Sequence, residues 1–310
     1  VQLRQIALDK GLSLSDHSFK KLKGGGEIFC ATEEEVYKTL GLQYVPPEIR
    51  EDRGEVEAAK ANKLPKLIQV KDIKSDLHMH STYSDGKLSM LDMAREAIER
   101  GLRVITFTDH SVSLGVANGL SIERHKKQAA EIKKIQKQLG DEILILHGSE
   151  VEIKADGSLD YPDEFLASLD LVVASLHSSL RQPREKVTQR LLNAINNPHV
   201  DIIGHPTGRE IPDREGADLD MEAVFQAAAK SGVALEINAH PSRLDLDDTF
   251  ARRAKDLGVL ISINTDSHAG DGFDVLPYGI ATARRAWLEP KDVINTWTAK
   301  KLTDWLKKRG

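Results

Sequence analysis

The chain has 310 residues, 40% of them hydrophobic and 29% charged, with a formal net charge of −5. That length holds one large domain, or one with a small companion, around a well-buried core. The single cysteine, Cys30, excludes a disulfide framework and a thiolate metal site. It fits a reducing, cytoplasmic address, and neither a membrane-length apolar run nor a signal-peptide pattern is present. No membrane partner is expected.

Residues 1–55 open with "LRQIALDKG", apolar at helical spacing and stopped by Gly11. The start is without methionine and already helix-like, so it reads as a piece of a longer chain. "GGGEIFCA" is turn-like. "ATEEEVYKTLGL" is a second helix, with Thr32 as N-cap and Gly41 as its stop. "YVPPEIRE" then breaks regular structure, and residues 56–73, polar with one short apolar patch, read as a linker.

From residue 74 to 310 the rhythm changes. "DLHMHS", "RVITFTDH", "ILILHGSEVEI", "LDLVVASLH", "VDIIGH", "VALEINAH" and "VLISINTDSH" are strand-like. Between them lie helical segments such as "SMLDMAREAIERG" and "DMEAVFQAAAKSG" that close on glycine. Strand and helix alternating in this way specify a parallel sheet with crossover helices. Seven such runs point to a closed or nearly closed barrel. An open doubly wound sheet would require a glycine-rich phosphate turn after its first strand, and "HMHSTYSDG" is not one. The "KADG" turn at 154–157 extends the third strand into a small hairpin.

Each run ends in a metal-competent residue or a polar neighbour of one. In order these are His78 and His80 with Asp85 beyond them, Asp109 and His110, Glu150, His177, His205, Asn238 and His240, and Asp266 and His268. Strands of a parallel barrel all open their C-terminal ends onto one mouth, so these residues converge. A lone histidine at a strand end is ordinarily structural, and His17, His125, His147 and His199 are read that way from their contexts. Six histidines, two aspartates and a glutamate on successive ends are a metal site. His, Asp and Glu without cysteine suit catalytic zinc, manganese or iron. Nine ligands suit two or three ions, with a carboxylate bridging a pair. Such clusters hydrolyse phosphate esters, because the ions acidify bound water and clamp the entering and leaving oxygens. Three divalent ions would also carry the net charge from −5 to about +1, concentrated at one place, so the acidic balance does not exclude a nucleic-acid partner. Arg209 and Arg243, which follow strand ends, and more weakly Arg181, are candidates to hold a phosphate.

The motifs "DLHMHSTYSDG", "ITFTDH", "GSEVEI", "ASLHSS", "IIGHPTGR", "LEINAHPSRLDL" and "NTDSH" resemble those of the polymerase and histidinol phosphatase (PHP) superfamily over residues 74 to about 285. More narrowly, the chain resembles the C-terminal part of bacterial family X DNA polymerases, with residues 1–55 similar to the end of their thumb. The resemblance implies a distorted seven-stranded (β/α)7 TIM-like barrel, an α/β PHP fold, preceded by a small, mainly helical thumb-like segment. It implies three ions: one on His78, His80, Glu150 and Asp266; one on the bridging Glu150 with His177 and His205; and one on Asp85, His110 and His268. Glu150, Asp266 and His177 are the expected catalytic residues, with manganese expected for activity. The implied activity is 3′ to 5′ exonuclease, with 3′-phosphatase or abasic-site activity, and the implied partners are DNA 3′ ends and the polymerase half of the parent protein. His240 stands where many relatives carry asparagine, and is read as a hydrogen-bonding rim residue. No Gly-Ser motif followed by paired aspartates precedes residue 74, and "LDLDD" at 244–248 is a helix-capping loop, so polymerisation is not expected. The rival readings are a small-molecule phosphatase of the histidinol phosphate type and a non-catalytic metal-stabilised scaffold.

Overall fold

The computed structural model describes residues 1–308 and divides into two compact units, Val1–Lys66 and a second from Leu67 onward. In the first unit, α1 (Gln2–Asp9) is followed by three very short strands, β1 (Leu12–Leu14), β2 (Phe19–Lys21) and β3 (Glu27–Ile28), then α2 (Glu33–Thr39) and α3 (Glu55–Lys60). The strands form an antiparallel sheet in the order β1-β2-β3. At two or three residues each, they are too short to show period-2 alternation, and the sequence pattern shows only a turn there. Thr32 caps α2 by accepting from the Glu35 amide, and Gly41 leaves it at φ 69°. The stretch read as a linker is partly structured. Val56 and Ala59 on α3 are buried, Leu67 is buried too, and Ile68 belongs to the apolar core of the second unit.

The second unit is a seven-stranded, all-parallel barrel. Its strands are β4 (Ser75–Met79), β5 (Val104–Phe107), β6 (Leu144–Glu152), β7 (Leu171–Ser175), β8 (Ile202–Gly204), β9 (Ala234–Asn238) and β10 (Ile261–Asn264), paired in sequence order. Helices α4 (Met90–Glu99), α5 (Ile122–Leu139), α6 (Asp163–Leu166), α7 (Arg184–Asn196), α8 (Met221–Ser231) and α9 (Asp248–Asp256) form the crossovers. Helices α10 (Leu276–Arg285) and α11 (Ala299–Leu306) complete the unit. The barrel is distorted where its first and last strands meet. There the ladder is reduced to a bridge between Met79 and Ser267, with the His80 amide donating to the Ser267 carbonyl at 2.8 Å. Lower on the same seam Asn295 acts as a side-chain plug: its Nδ2 donates to the Ser75 carbonyl (3.0 Å) and its Oδ1 accepts from the Ile263 amide (2.8 Å). The expected turn is present, with the Lys154 amide on the Ser158 carbonyl at 2.9 Å.

Alternation along each strand sorts its two faces. Outward residues such as Ile105, Val172, Leu235 and Ile263 pack under the helices. Inward residues run in layers. The lowest is apolar, with Leu77, Val104, Leu146, Leu171, Ile202 and Ala234, and is covered by Ile294, Leu302 and Leu306. Above it the inward positions shrink. A Cβ on Gly204 would lie 2.5 Å from Ser175 Oγ and 3.3 Å from His78 Cε1. That missing methyl is the space under the polar mouth.

Candidate metal centre

The upper inward layer is polar throughout. His78 on β4 and His80 just after it share a face by period 2. A bulge between Asp76 and Met79 resets the strand's parity, so that this face is inward although Leu77 also points inward. Glu150 stands on β6 two residues above Gly148, and His177, His205, Asp266 and His268 follow the ends of β7, β8 and β10. All nine residues expected as ligands converge. Glu150 lies at the centre and its two oxygens face different partners. Oε1 is 3.1 Å from His177 Nε2 and 2.9 Å from His205 Nε2. Oε2 is 2.8 Å from His110 Nδ1, 3.4 Å from His78 Nε2 and 3.6 Å from His80 Nε2. Asp266 Oδ1 sits 3.0 Å from His80 Nε2 and 3.6 Å from His78 Nε2. Asp85 reaches His268 Nε2 at 3.3 Å and His110 Nε2 at 3.6 Å.

These donors fit divalent ions. His78 Nε2, both ring nitrogens of His80, His110 Nδ1, Glu150 Oε2 and Asp266 Oδ1 are buried and have no hydrogen-bond partner. Buried polar atoms without partners are costly, and so many lone pairs aimed at one another call for cations between them. Four groups of three or four ligand atoms lie within 4.8 Å of each other: His80/Asp85/His110/His268, His78/Glu150/His205, His78/His80/Asp266 and His110/Glu150/His177. His78, His80, His110 and Glu150 each belong to two of them, so every group shares ligands with its neighbours.

Without ions, protons do part of the same work. Burial works against ionising Glu150, but the imidazoles of His177, His78 and His110 outweigh it and hold the carboxyl well below the usual range. Burial also opposes the His177 imidazolium, and Glu150 and Glu152 overcome it, raising that ring to about 9. His268 is likewise raised to about 9, burial being outweighed by Asp85 and Asp266. His80 is pushed down to about 3 by burial and by the imidazoles of His268 and His110 beside it.

Two carboxylates that orient the site are not among the expected residues. Glu236 accepts at His78 Nδ1 (2.9 Å) and from the His205 amide (2.7 Å); Glu152 accepts at His177 Nδ1 (2.7 Å). Each fixes which ring nitrogen faces inward, as partners of metal-bound histidines do. The signal was period 2: Glu152 is two residues above Glu150, and Glu236 two below Asn238, both inside apolar strands. Asn238 Nδ2 in turn holds Asp266 Oδ2 at 3.0 Å. Asp109 braces the loop after β4 by accepting from the Ser81 amide and both Ser81 and Ser84 hydroxyls. His205 and Asp266 have φ values of 26° and 55°. Left-handed backbone at non-glycine residues costs energy that the surroundings must supply, and such strain gathers at functional sites.

The arginines divide. Arg243 lines the mouth, its Nε 4.0 Å from Asp266 Oδ2. Arg209 is not in the lining: its Nε donates to the Arg243 carbonyl (2.7 Å), another nitrogen donates to the Leu244 carbonyl, and Asp247 lies 3.5 Å away. Position after a strand end could not show that the loop's own carbonyls take this guanidinium. Arg181 is exposed and likewise outside the lining. His240 is exposed and bonded to Ser242 Oγ at 2.7 Å. His125, fully buried, is held by His147 and Tyr161 away from the mouth. No described helix is long and apolar enough to cross a membrane.

Residues 1–51 match the family model of the DNA polymerase beta thumb, and residues 76–240 that of the PHP domain. The chain is 42% identical over 308 residues to "DNA polymerase/3'-5' exonuclease PolX" of Bacillus subtilis (strain 168), covering 99% of this chain and 54% of that protein. It thus spans about half the length of that relative. It is 31% identical over 245 residues to a protein named "Probable phosphatase" of Thermoanaerobacter sp. (strain X514), covering 76% of this chain and 94% of the other. Its fold is similar to histidinol phosphate phosphatase from Lactococcus lactis, solved with zinc, L-histidinol and phosphate. There the TM-score is 0.52 at 22% identity, over 69% of this chain and 93% of that one. With the PHP model matched over more than half its length, the chain belongs to the PHP-domain family of metal-dependent phosphoesterases.

Proposed function

We propose that this chain hydrolyses phosphodiester bonds at DNA 3′ ends, as the nuclease part of a family X polymerase. The supporting observation is the pairing, in one chain, of a nine-donor phosphoesterase mouth with a segment matching a polymerase thumb. In this reading residues 1–55 are the end of the thumb and residues 74–310 the phosphoesterase domain. His78, His80, Asp85, His110, Glu150, His177, His205, Asp266 and His268 hold two or three divalent ions, manganese in the active form. Bound ions would supply a water acidified to near neutrality and a clamp on the phosphoryl oxygens.

The chain's own groups do the rest. Glu150 keeps two sets of imidazoles in one frame by dividing its oxygens between them. Glu236 and Glu152 fix the rings of His78 and His177, so that the donors need not reorganise when substrate arrives. Arg243 neutralises a non-bridging phosphate oxygen at the rim. His78 and His80 are fully buried, whereas the side chains of Asp85 and His268 are about a third exposed, so substrate enters on their side.

A second reading, a small-molecule phosphatase, is favoured by the phosphatase names among the relatives. One assay separates the two. A 5′-labelled oligonucleotide is incubated with manganese, with and without EDTA, beside Asp266→Asn. Stepwise shortening, lost in both controls, supports the nuclease. Ion-loaded protein that leaves DNA intact but releases phosphate from histidinol phosphate would overturn it in favour of the second reading.

A further inference from the structure

The mouth holds two kinds of chemistry within one cavity of about 280 Å³. Part of its lining is ionic, with Arg243, Asp85 and His268 at the rim. The other part is apolar and comes from a single loop, between β5 and α5, through Leu114, Val116 and Ala117. Val116 is 99% exposed although it lines the cavity, and Val112 in the same loop is also exposed.

This loop is not slack. At its base the Leu120 amide donates to the His110 carbonyl at 2.8 Å. On one flank the Ser113 amide donates to Asp160 at 2.7 Å. On the other, Asn118 Nδ2 donates to the carbonyls of Tyr83 (3.2 Å) and Ser84 (3.1 Å), and Arg124 donates to the Asn118 and Gly119 carbonyls. The turn between these anchors, Gly115–Ala117, therefore presents Val116 at a fixed place beside the ionic donors. Singly exposed valines are ordinary. An anchored apolar wall inside a cavity otherwise built of imidazoles, carboxylates and arginine is not explained by phosphate binding, because phosphate gains nothing from it.

What such a wall can contact is the group attached to phosphorus. A polar alcohol offers little to it, whereas a nucleotide offers a deoxyribose edge and the flat face of a base, and its phosphate is the complement of Arg243 and the ions. Building on the nuclease reading above, we propose that the 112–117 loop is the subsite for the sugar and base of the 3′-terminal nucleotide, with Val116 as the residue that tells a base-bearing end from a bare phosphate ester.

The test compares two 5′-labelled single strands that differ only at the 3′ terminus, one bearing a normal nucleotide and the other an abasic sugar analogue. Both are cut with manganese by the full chain, by Val116→Ser and by Val116→Ile, with metal content measured in each sample. The expected result is that the ratio of kcat/KM for the base-bearing end to that for the abasic end falls about fivefold in Val116→Ser, through KM, and is kept in Val116→Ile. An unchanged ratio in Val116→Ser overturns the subsite while leaving the nuclease standing. So does an equal loss on both ends, or a fall in bound metal, since the loop would then act through the ions. A full chain that carries its ions and shortens neither strand overturns the nuclease reading and the subsite with it.

Discussion

The two ends of the barrel are built from the same seven strands and solve opposite problems. On β6 the inward positions are Leu146, Gly148 and Glu150; on β9 they are Ala234, Glu236 and Asn238. At the N-terminal end Leu146 and Ala234 meet other apolar side chains and the Ile294, Leu302 and Leu306 cover. At the C-terminal end equally buried residues leave ring nitrogens and carboxylate oxygens without hydrogen-bond partners. Burial is therefore the same and satisfaction is not. The lower layer is held by apolar packing, whereas the upper layer gathers lone pairs that call for cations. This is the stability and function division of a (β/α) barrel, drawn within single strands.

Paired substitutions on β6 give the sharpest way to break the comparison. Glu150→Gln removes the charge that both sets of imidazoles share, and hydrolysis should fall by about a thousandfold while far-UV circular dichroism is unchanged. Retained turnover would show that the centre does not depend on its central carboxylate. Leu146→Ala, four residues away on the same face, should do the reverse. Unfolding free energy should drop by about 2–4 kcal/mol in urea titration, with turnover per folded molecule preserved. If it instead removed activity at full stability, the two ends would not be separate.

The orienting carboxylates come next in size. Glu236→Gln keeps shape but loses the charge on His78 Nδ1, and metal affinity measured by competition with a chelator should weaken by about 10- to 100-fold. An affinity equal to that of the unmodified chain would make Glu236 a packing residue only. The smallest effect concerns pH. In metal-stripped protein His177 and His268 are raised from 6.5 to about 9, so the folded state binds protons that the unfolded state has released. That stabilisation is fully present below pH 6.5 and is lost as pH rises through 9. The melting temperature of the EDTA-treated protein should fall across that window, and the slope should disappear when ions occupy the site. A rise in the same window would reverse the assigned sign.

Much of this architecture is legible in residue order alone. The helix capped by Thr32, the seven alternating runs and the nine strand-end residues follow from local patterns, since caps, period 2 and the shared direction of parallel strands are short-range rules. The three-stranded sheet of the first unit is not legible, its strands being shorter than one alternation. Nor is the distinction between Arg209 and Arg243. Both follow strand ends, and only the folded loop shows that the carbonyls of Arg243 and Leu244 take one guanidinium while the other faces Asp266.

The sequence by itself determined the kind of barrel and the chemical identity of its mouth, because inward position and strand order are written in residue spacing. The tertiary structure alone decided which oxygen of Glu150 faces which ring, that Glu236 and Glu152 orient the histidines, and that Val116 stands beside the ionic donors. Those facts depend on contacts between residues separated by tens to hundreds of positions, such as His78 with Glu236, and no local pattern encodes a distance across the fold.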